Sequence, residues 1–424
     1  MVKLKRLKIN KYRNVRPGTE LHFDATRNLV LGQNGSGKTT LLGLVAMISG
    51  WHFSALANEI FDLEFDLEAP GRRWQCKIAN TRASSASARP FAYEYRITGL
   101  LPNDGDPVLR GVDTANYLSF SGLAFANKEL VLPPVPLFEP RFFDRLAATI
   151  THDDHPELGP VSPWIPPQTT LAARYDEALG YFYGLTGQQA PDTGSAGLTS
   201  ISTSYSRTVN PDGSVQFRYS DQNPHRIAAA VLEELLAQKT GPSVPRIVPA
   251  SAVGWLRTFV ELTKLSAGEL IVNVDSASGE STTIAGFSLY FTLGGGATIP
   301  HNRLSYGQKR LLAFLFYMAN CGDVVIADEL VNGLHRRWIE VCMDALGERQ
   351  AFLTSQNPLL FDYVEFDSIE QAQSRFLTCR SELVDGAVQL VWSNMPRDDA
   401  AAFFRGYEAE IEGVGDILIN RGLW

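Results

Sequence analysis

A lysine and a hydroxyl at the end of a glycine-rich turn, and two adjacent carboxylates far downstream, are the residues of this chain best suited to chemistry. Gly32-Gln33-Asn34-Gly35-Ser36-Gly37-Lys38-Thr39-Thr40 has the GxxxxGK[ST] spacing of a loop that wraps phosphate. Glycines let the backbone curl so that successive N–H groups point at phosphate oxygens, and a helix opening behind the loop adds the positive end of its dipole. Lys38 then reaches the β- and γ-phosphates, and Thr39 places its hydroxyl on Mg²⁺. Gln33, Asn34, Gly35, Ser36, Gly37 and Thr40 complete the candidate contacts of the loop. Downstream, the apolar run Val324-Val325-Ile326-Ala327 ends in Asp328 and Glu329. Asp328 is the candidate Mg²⁺ ligand, directly or through water. Glu329 is the candidate base that orients and deprotonates an attacking water, because one carboxylate does not readily serve metal and base at once.

These groups need elements to hold them. Residues 28–31 read as a short buried strand before the loop, and residues 41–48 have helical length and composition after it. Residues 323–327 and 350–355 read as two further core strands, the second ending at Gln356-Asn357-Pro358, with a helix over 337–346 between them. Residues 2–12 and 20–23 alternate around the turn at Pro17-Gly18, which predicts a hairpin feeding the strand before the loop. Residues 61–67 alternate strictly, and 73–78 and 91–97 can pair with them, giving a small antiparallel β-lobe around 60–125.

The middle of the chain is less regular. Residues 133–167 are proline-rich with a short helix over 140–150, 171–183 read as a helix, and 192–206 as a polar loop. Asn210-Pro211-Asp212-Gly213 is a turn between strands at 206–209 and 215–219. Tyr205, Arg207, Arg218 and Tyr219 of that hairpin suit a nucleic acid or partner, and equally suit ordinary strand composition. Asn223-Pro224 opens a helix to Lys239, 253–265 continues as helix, and 269–275 and 283–293 read as strands. At the end, Phe403, Tyr407, Ile411, Val414 and Leu418 fall on one face, which predicts a helix docked on the preceding lobe.

Composition sets the class. The chain has 424 residues, 45% hydrophobic and 20% charged, ordinary for a soluble globular protein with more than one lobe. Cys76, Cys321, Cys342 and Cys379 form no CxxC pair, so reduced buried thiols are expected rather than a zinc site or a disulfide framework. No apolar run approaches the roughly 18 residues of a membrane span and no signal peptide is apparent, so the reading is cytoplasmic with no membrane partner. The net charge of −8 argues against a protein coated in nucleic acid. Yet Lys3, Lys5, Arg6, Lys8, Lys11, Arg13 and Arg16 cluster at the start with no acid among them, either a solvated strand face or a DNA-facing edge.

Leu304-Ser305-Tyr306-Gly307-Gln308-Lys309-Arg310 precedes an apolar helix at 311–319. Its serine and glycine would offer donors to an anion at a helix N-terminus, with Lys309 and Arg310 adding positive charge. This segment resembles the LSGGQ or LSxGQ signature of ATP-binding-cassette-type (ABC-type) ATPases. Val331-Asn332-Gly333-Leu334-His335 resembles the ENGLH-type loop of their RecF-like, SMC-like and OLD-like branch. Leu7-Lys8-Ile9-Asn10-Lys11-Tyr12-Arg13-Asn14 resembles the I-x-N-F-R start of that group, and Gly32–Lys38 its GQNGSGK loop. The likeness covers the two ends of the chain and not the stretch between.

The resemblance implies an α/β fold. It consists of an ABC-type P-loop NTPase core, an antiparallel β-lobe, and a mixed α/β insertion between phosphate loop and signature. The implied domains are 1–130 with the phosphate loop and β-lobe, 131–265 as a mostly helical insertion, and 266–424 with signature, acidic pair and C-terminal helix. About 265 residues separate phosphate loop and signature, too many for a transporter's nucleotide-binding subunit and without the heptads of an SMC arm. By resemblance Arg13 contacts nucleotide phosphate, while Ser305, Gly307 and Gln308 cap the γ-phosphate on a second copy of the chain. The implied unit is a head-to-tail homodimer or higher homo-oligomer around ATP and Mg²⁺. Gln356 stands where the family carries a histidine at the γ-phosphate. An amide donates a hydrogen bond but shuttles no proton, so slow turnover is expected. The glutamine that senses Mg²⁺ is unplaced, with Gln75 and Gln168 as candidates. About 95 residues follow Glu329, most of them needed by the ATPase lobe, so a TOPRIM nuclease is not expected on this chain. The functions implied are the ATPase component of a bacterial anti-phage system with a separate effector nuclease, a RecF-like DNA-repair ATPase, or a slow ATP-bound switch; nucleic acid stays open as a partner.

Overall fold

The computed structural model describes residues 1–50, 53–56, 59–70, 72–80, 175, 246–277, 281–409 and 413–422, together with the strands given below between 91 and 219. Strands β1 (Lys3–Tyr12), β2 (Thr19–His22) and β3 (Arg27–Leu31) lead into helix α1 (Lys38–Gly50). Then come β4 (Phe61–Ala69), β5 (Arg72–Asn80), β6 (Phe91–Thr98), β7 (Val108–Thr114), β8 (Tyr117–Phe125), β9 (Lys128–Leu130) and β10 (Val135–Pro136). The middle supplies β11 (Thr203–Val209), β12 (Val215–Tyr219), β13 (Arg246–Pro249), α2 (Gly254–Thr263), β14 (Ala267–Ala277), β15 (Ser281–Thr292), β16 (Thr298–Pro300) and α3 (Tyr306–Asn320). The chain continues with β17 (Val324–Ala327), α4 (Arg336–Leu346), β18 (Gln350–Leu353), α5 (Ile369–Arg375), β19 (Phe376–Val384), β20 (Ala387–Asn394), α6 (Arg397–Glu408) and α7 (Val414–Asn420).

The fold is α/β, and the chain divides into two compact units. One comprises Met1–Ala172, Gly322–Glu329 and Glu348–Trp424. It holds an antiparallel sheet in the order β10-β8-β7-β6-β5-β4-β1-β2, with β9 on β8, which realises the β-lobe expected around 60–125. Its second sheet has the order β17-β18-β3-β19-β20. There β17, β18, β3 and β19 run parallel and β20 antiparallel. The phosphate loop, the acidic pair and the 354–356 segment therefore all leave the carboxyl ends of parallel strands, where ligands gather in open α/β sheets. Helix α1 is apolar on nearly every side, and Leu41, Leu42, Leu44, Val45 and Ile48 are buried. They pack in one core with Leu4, Leu7, Ile9 and Tyr12 of β1 and Phe61, Leu63, Phe65 and Leu67 of β4, each worth roughly 1.5–3 kcal/mol of burial.

The apolar steps from Leu4 to Leu7 and from Ile9 to Tyr12 break strict alternation. The register of β1 on β4 shifts between Leu4 and Arg6 and again between Ile9 and Lys11, so bulges return the apolar residues to the core face.

The other unit comprises Ala173–Cys321 and Leu330–Gly347. Its sheet runs β12-β11-β15-β14-β13 with β16 on β15, and α2, α3 and α4 belong to it. The expected hairpin at 206–219 is β11–β12, although strand begins at Thr203, inside the segment read as polar loop. The helices expected at 140–150 and 223–239 lie outside the described residues, as does all but Tyr175 of the one at 171–183.

The helix expected at the end of the chain is instead two. Gly413, in extended backbone, caps the start of α7, so Phe403 of α6 and Val414 and Leu418 of α7 are buried from separate helices, and Ile411 lies outside the described residues. The β19–β20 hairpin was not anticipated. Its Leu390 and Trp392 enter the core beneath the phosphate loop. No helix among the described residues is long and apolar enough to cross a membrane.

Candidate functional site

The phosphate loop is set from behind by a small turn. Asp24 Oδ1 accepts from Thr26 N at 2.8 Å, Thr26 Oγ1 at 2.8 Å and Arg27 N at 3.0 Å, fixing where β3 begins. Burial alone would raise the Asp24 carboxyl. These hydrogen bonds and the Arg375 charge prevail, and it lies below its ordinary value. After β3 the chain passes so close to β19 that a Cβ on Gly32 would overlap the Cys379 carbonyl oxygen, and Gly32 has φ +145°. Only glycine fits there. Ser36 N bonds Gln33 O at 3.2 Å, closing the turn, and Leu41 N bonds Gly37 O at 2.9 Å as the first turn of α1. The opening amides of α1 have no acceptor one turn earlier and face an incoming anion.

Lys38 Nζ lies on its own loop, 2.6 Å from Gly32 O and 3.2 Å from Gln33 O. Thr39 Oγ1 donates to Asp328 Oδ2 at 2.7 Å. Those two hard oxygen donors suit Mg²⁺, which takes one or two protein ligands and fills its octahedron with water and phosphate. Ser36 Oγ is buried without a hydrogen-bond partner among the described residues, a further polar atom for a ligand held in the loop. Both the nucleotide and the metal thus fit the residues present. The neighbouring Cys379 thiol is pushed up to about 12 by burial, against the pull of Lys38, and is no nucleophile.

Glu329 follows Asp328 with φ +53°, a left-handed backbone that costs a non-glycine residue roughly 1–3 kcal/mol. Two contacts hold it. Its N–H donates to Thr354 Oγ1 at 2.9 Å, and its Oε2 accepts from Gln356 N at 2.9 Å. Thr354 Oγ1 also donates to Asp328 Oδ1. Thr354 was not anticipated; the signal in the sequence was a hydroxyl directly after the apolar run Ala351–Leu353. Gln356 meets the base through its backbone, so its position rather than its side chain anchors Glu329. Of the two glutamines considered for the metal, Gln75 is an exposed residue of β5 paired with Asp66 and Arg96, and Gln168 lies outside the described residues.

Within the other unit, Ser305 caps α3. Its Oγ accepts from Gln308 N at 3.3 Å, and Gln308 Oε1 accepts from Ser305 N at 2.9 Å, a reciprocal capping box. The serine oxygen only accepts in this cap, so its hydrogen remains for another acceptor. A Cβ on Gly307 would overlap Gly333 O, and Tyr306 lies across Gly333 itself, so the signature and the 331–335 loop are packed backbone to backbone. Arg310, expected as free positive charge, is buried. Its guanidinium lies 5.5 Å from the Tyr175 ring and 5.7 Å from the Tyr306 ring, and Tyr175 Oη donates to Arg310 O at 2.9 Å. The guanidinium is thus seated against two aromatic rings.

The structure holds Arg13 on Glu59, Nε to Oε2 at 2.7 Å and Nη2 to Oε1 at 2.6 Å. The bond from Arg13 lowers the Glu59 carboxyl, and the bidentate pair engages Nε and Nη2 of a guanidinium that has five N–H donors. Several of the other basic residues near the start are likewise matched by acids. Arg6 pairs with Asp66 and Glu20, Lys8 with Glu64, and Arg16 with Glu382.

No protein-family model and no curated protein matches the chain. Among solved structures it is similar to an SMC head domain from Thermotoga maritima, with TM-score 0.36 and 10% identity over 93% of this chain and 99% of that one. It is similar also to the Smc head domain with an extended coiled coil bound to the C-terminal domain of ScpA, derived from Pyrococcus furiosus, with TM-score 0.36 and 10% identity over 96% and 100% of the two chains. A third is the recombination mediator protein RecF of the RecFOR pathway, with TM-score 0.30 and 13% identity over 92% and 98%. Strand, phosphate loop and helix at the end of a parallel sheet, with an antiparallel β-lobe beside it in sequence, give this chain the fold of a P-loop NTPase core.

Proposed function

We propose that the chain is an ABC-type ATPase of the RecF/SMC-like and OLD-like branch that binds ATP with Mg²⁺, dimerises head to tail around it, and hydrolyses it. The observation that carries this reading is the bond from Thr39 Oγ1 to Asp328 Oδ2, which brings two motifs 289 residues apart to one point beside Lys38. Bound Mg²⁺ would supply charge neutralisation at the β- and γ-phosphates. Lys38 would exchange the carbonyls of its own loop for phosphate oxygens, Thr39 and Asp328 would hold the metal, and Glu329 would orient the attacking water and take its proton. Ser305 and Gly307 of a second copy donate to the γ-phosphate. ATP thereby favours the closed pair through contacts absent from the open one. Arg13 joins at the nucleotide phosphate in the same reading.

The target is a nucleic acid or a nucleic-acid-bound partner in this reading. Its finest form, the ATPase component of an anti-phage system with a separate effector nuclease, rests on sequence resemblance. A slow ATP-bound switch is favoured by Gln356, whose amide cannot relay a proton. Phosphate release measured with and without DNA separates the readings. DNA-stimulated turnover supports a DNA-acting ATPase, tight binding with negligible turnover supports the switch, and absence of MgATP binding rejects both.

A further inference from the structure

Thr354 is fully buried at the end of β18, behind Ala351, Phe352 and Leu353, which are buried too. Its backbone N–H is fixed by Ala327 O at 3.1 Å, which extends the parallel β17–β18 pairing by one residue. A hydroxyl has one hydrogen to donate and two lone pairs. Here the hydrogen goes to Asp328 Oδ1, and a lone pair receives the Glu329 N–H at 2.9 Å. One side chain therefore touches both members of the acidic pair.

The consequences for the two carboxylates differ. Asp328 has one oxygen engaged by Thr354 and the other turned to Thr39 at 2.7 Å, so it cannot rotate without breaking a buried bond, and Oδ2 stays on the metal side. Glu329 is held in its left-handed backbone by the bond from its N–H, which aims its side chain at Gln356 N. The hydrogen bonds form one chain, Thr39 to Asp328, Thr354 to Asp328, Glu329 to Thr354 and Gln356 to Glu329, and Thr354 is its middle link.

We propose that Thr354 is a positioning residue for both carboxylates, setting the metal face of Asp328 and the backbone of Glu329 with one hydroxyl. This rests on the Mg²⁺–ATP reading of the site. Thr354→Val keeps the shape and removes the hydroxyl; Thr354→Ser keeps the hydroxyl and removes a methyl. Outer partners of a metal ligand typically account for 10–100-fold in metal affinity or activity. In a titration of a fluorescent ATP analogue with MgCl₂, Thr354→Val is expected to need about 10–100-fold more Mg²⁺ to tighten binding. Its affinity for the analogue in EDTA, set by the phosphate loop, stays at the wild-type value. Its kcat falls at saturating Mg²⁺ with KM for ATP unchanged. Thr354→Ser behaves as wild type in every readout.

Wild-type Mg²⁺ dependence in Thr354→Val overturns the proposal, and so does a Thr354→Ser chain whose Mg²⁺ dependence shifts as far as that expected of valine. Should the valine variant fail to fold, Thr354→Ala compared with Thr354→Ser gives the same contrast. Failure of the wild-type chain to bind the analogue at any Mg²⁺ concentration is a different result: it rejects the nucleotide reading itself.

Discussion

The phosphate-loop end of one unit and the signature end of the other are built on opposite plans. Around the loop, Gly32, Gly35, Gly37 and Glu329 have positive φ, Lys38 is folded onto carbonyls of its own loop, and Ser36 Oγ is buried without a partner among the described residues. At the signature, Ser305 and Gln308 cap each other, Gly307 is seated under Gly333, and Arg310 lies beside Tyr175 and Tyr306. The first end leaves the buried Ser36 Oγ for a ligand and keeps Lys38 on carbonyls it can exchange for an anion. The second is a finished helix start offering a hydroxyl hydrogen. In the proposed reading, affinity for nucleotide therefore resides in the first, and the second acts on a ligand already held, as expected of a site completed by a second copy.

This contrast breaks most visibly at the base. Glu329→Gln should lower phosphate release by about 10²–10⁴-fold while nucleotide binding is retained, because general-base help is lost and the loop is untouched. Lys38→Ala should weaken ATP binding about 10–100-fold in a fluorescence titration, the worth of a charge-assisted bond. At the signature, Gly307→Ala forces a Cβ into Gly333 O. It should destabilise by about 1–3 kcal/mol in denaturant titration without changing the affinity of a single chain for nucleotide.

The smallest effect concerns pH. The folded Asp24 carboxyl lies below its ordinary value, so the unfolded chain takes up its proton more readily. Its contribution is complete above the unfolded carboxylate value of about 3.9 and drains as pH falls through the lower folded value. Asp24→Asn should flatten the acid side of the stability profile below about pH 4 and lower stability above it.

Legibility followed the same division. The loop, α1 and the acidic pair were readable because their residues are contiguous and each strand or helix announces itself by a buried run. β1 was readable despite two bulges, since its buried residues Leu4, Leu7, Ile9 and Tyr12 are each separated by polar or charged ones. The β19–β20 hairpin was not, because Phe376–Cys379 is buried on both faces while Leu383, Val384 and Val388 are exposed, so neither stretch alternates as a half-buried strand should. The place of Arg310 depended on Tyr175, 135 residues earlier, and that of Arg13 on Glu59, 46 residues later. Spacing cannot show such pairings. Thr354 was overlooked because a threonine at a strand end is ordinary until the neighbouring strand places two carboxylates on its hydroxyl.

Sedimentation velocity of the Glu329→Gln chain with MgATP, with MgADP and without nucleotide tests the central claim most directly. A doubling of mass with MgATP alone, abolished by adding Ser305→Arg while single-chain ATP binding persists, is the predicted result. An unchanged mass in MgATP, or a dimer indifferent to Ser305→Arg, would contradict a site shared between two copies.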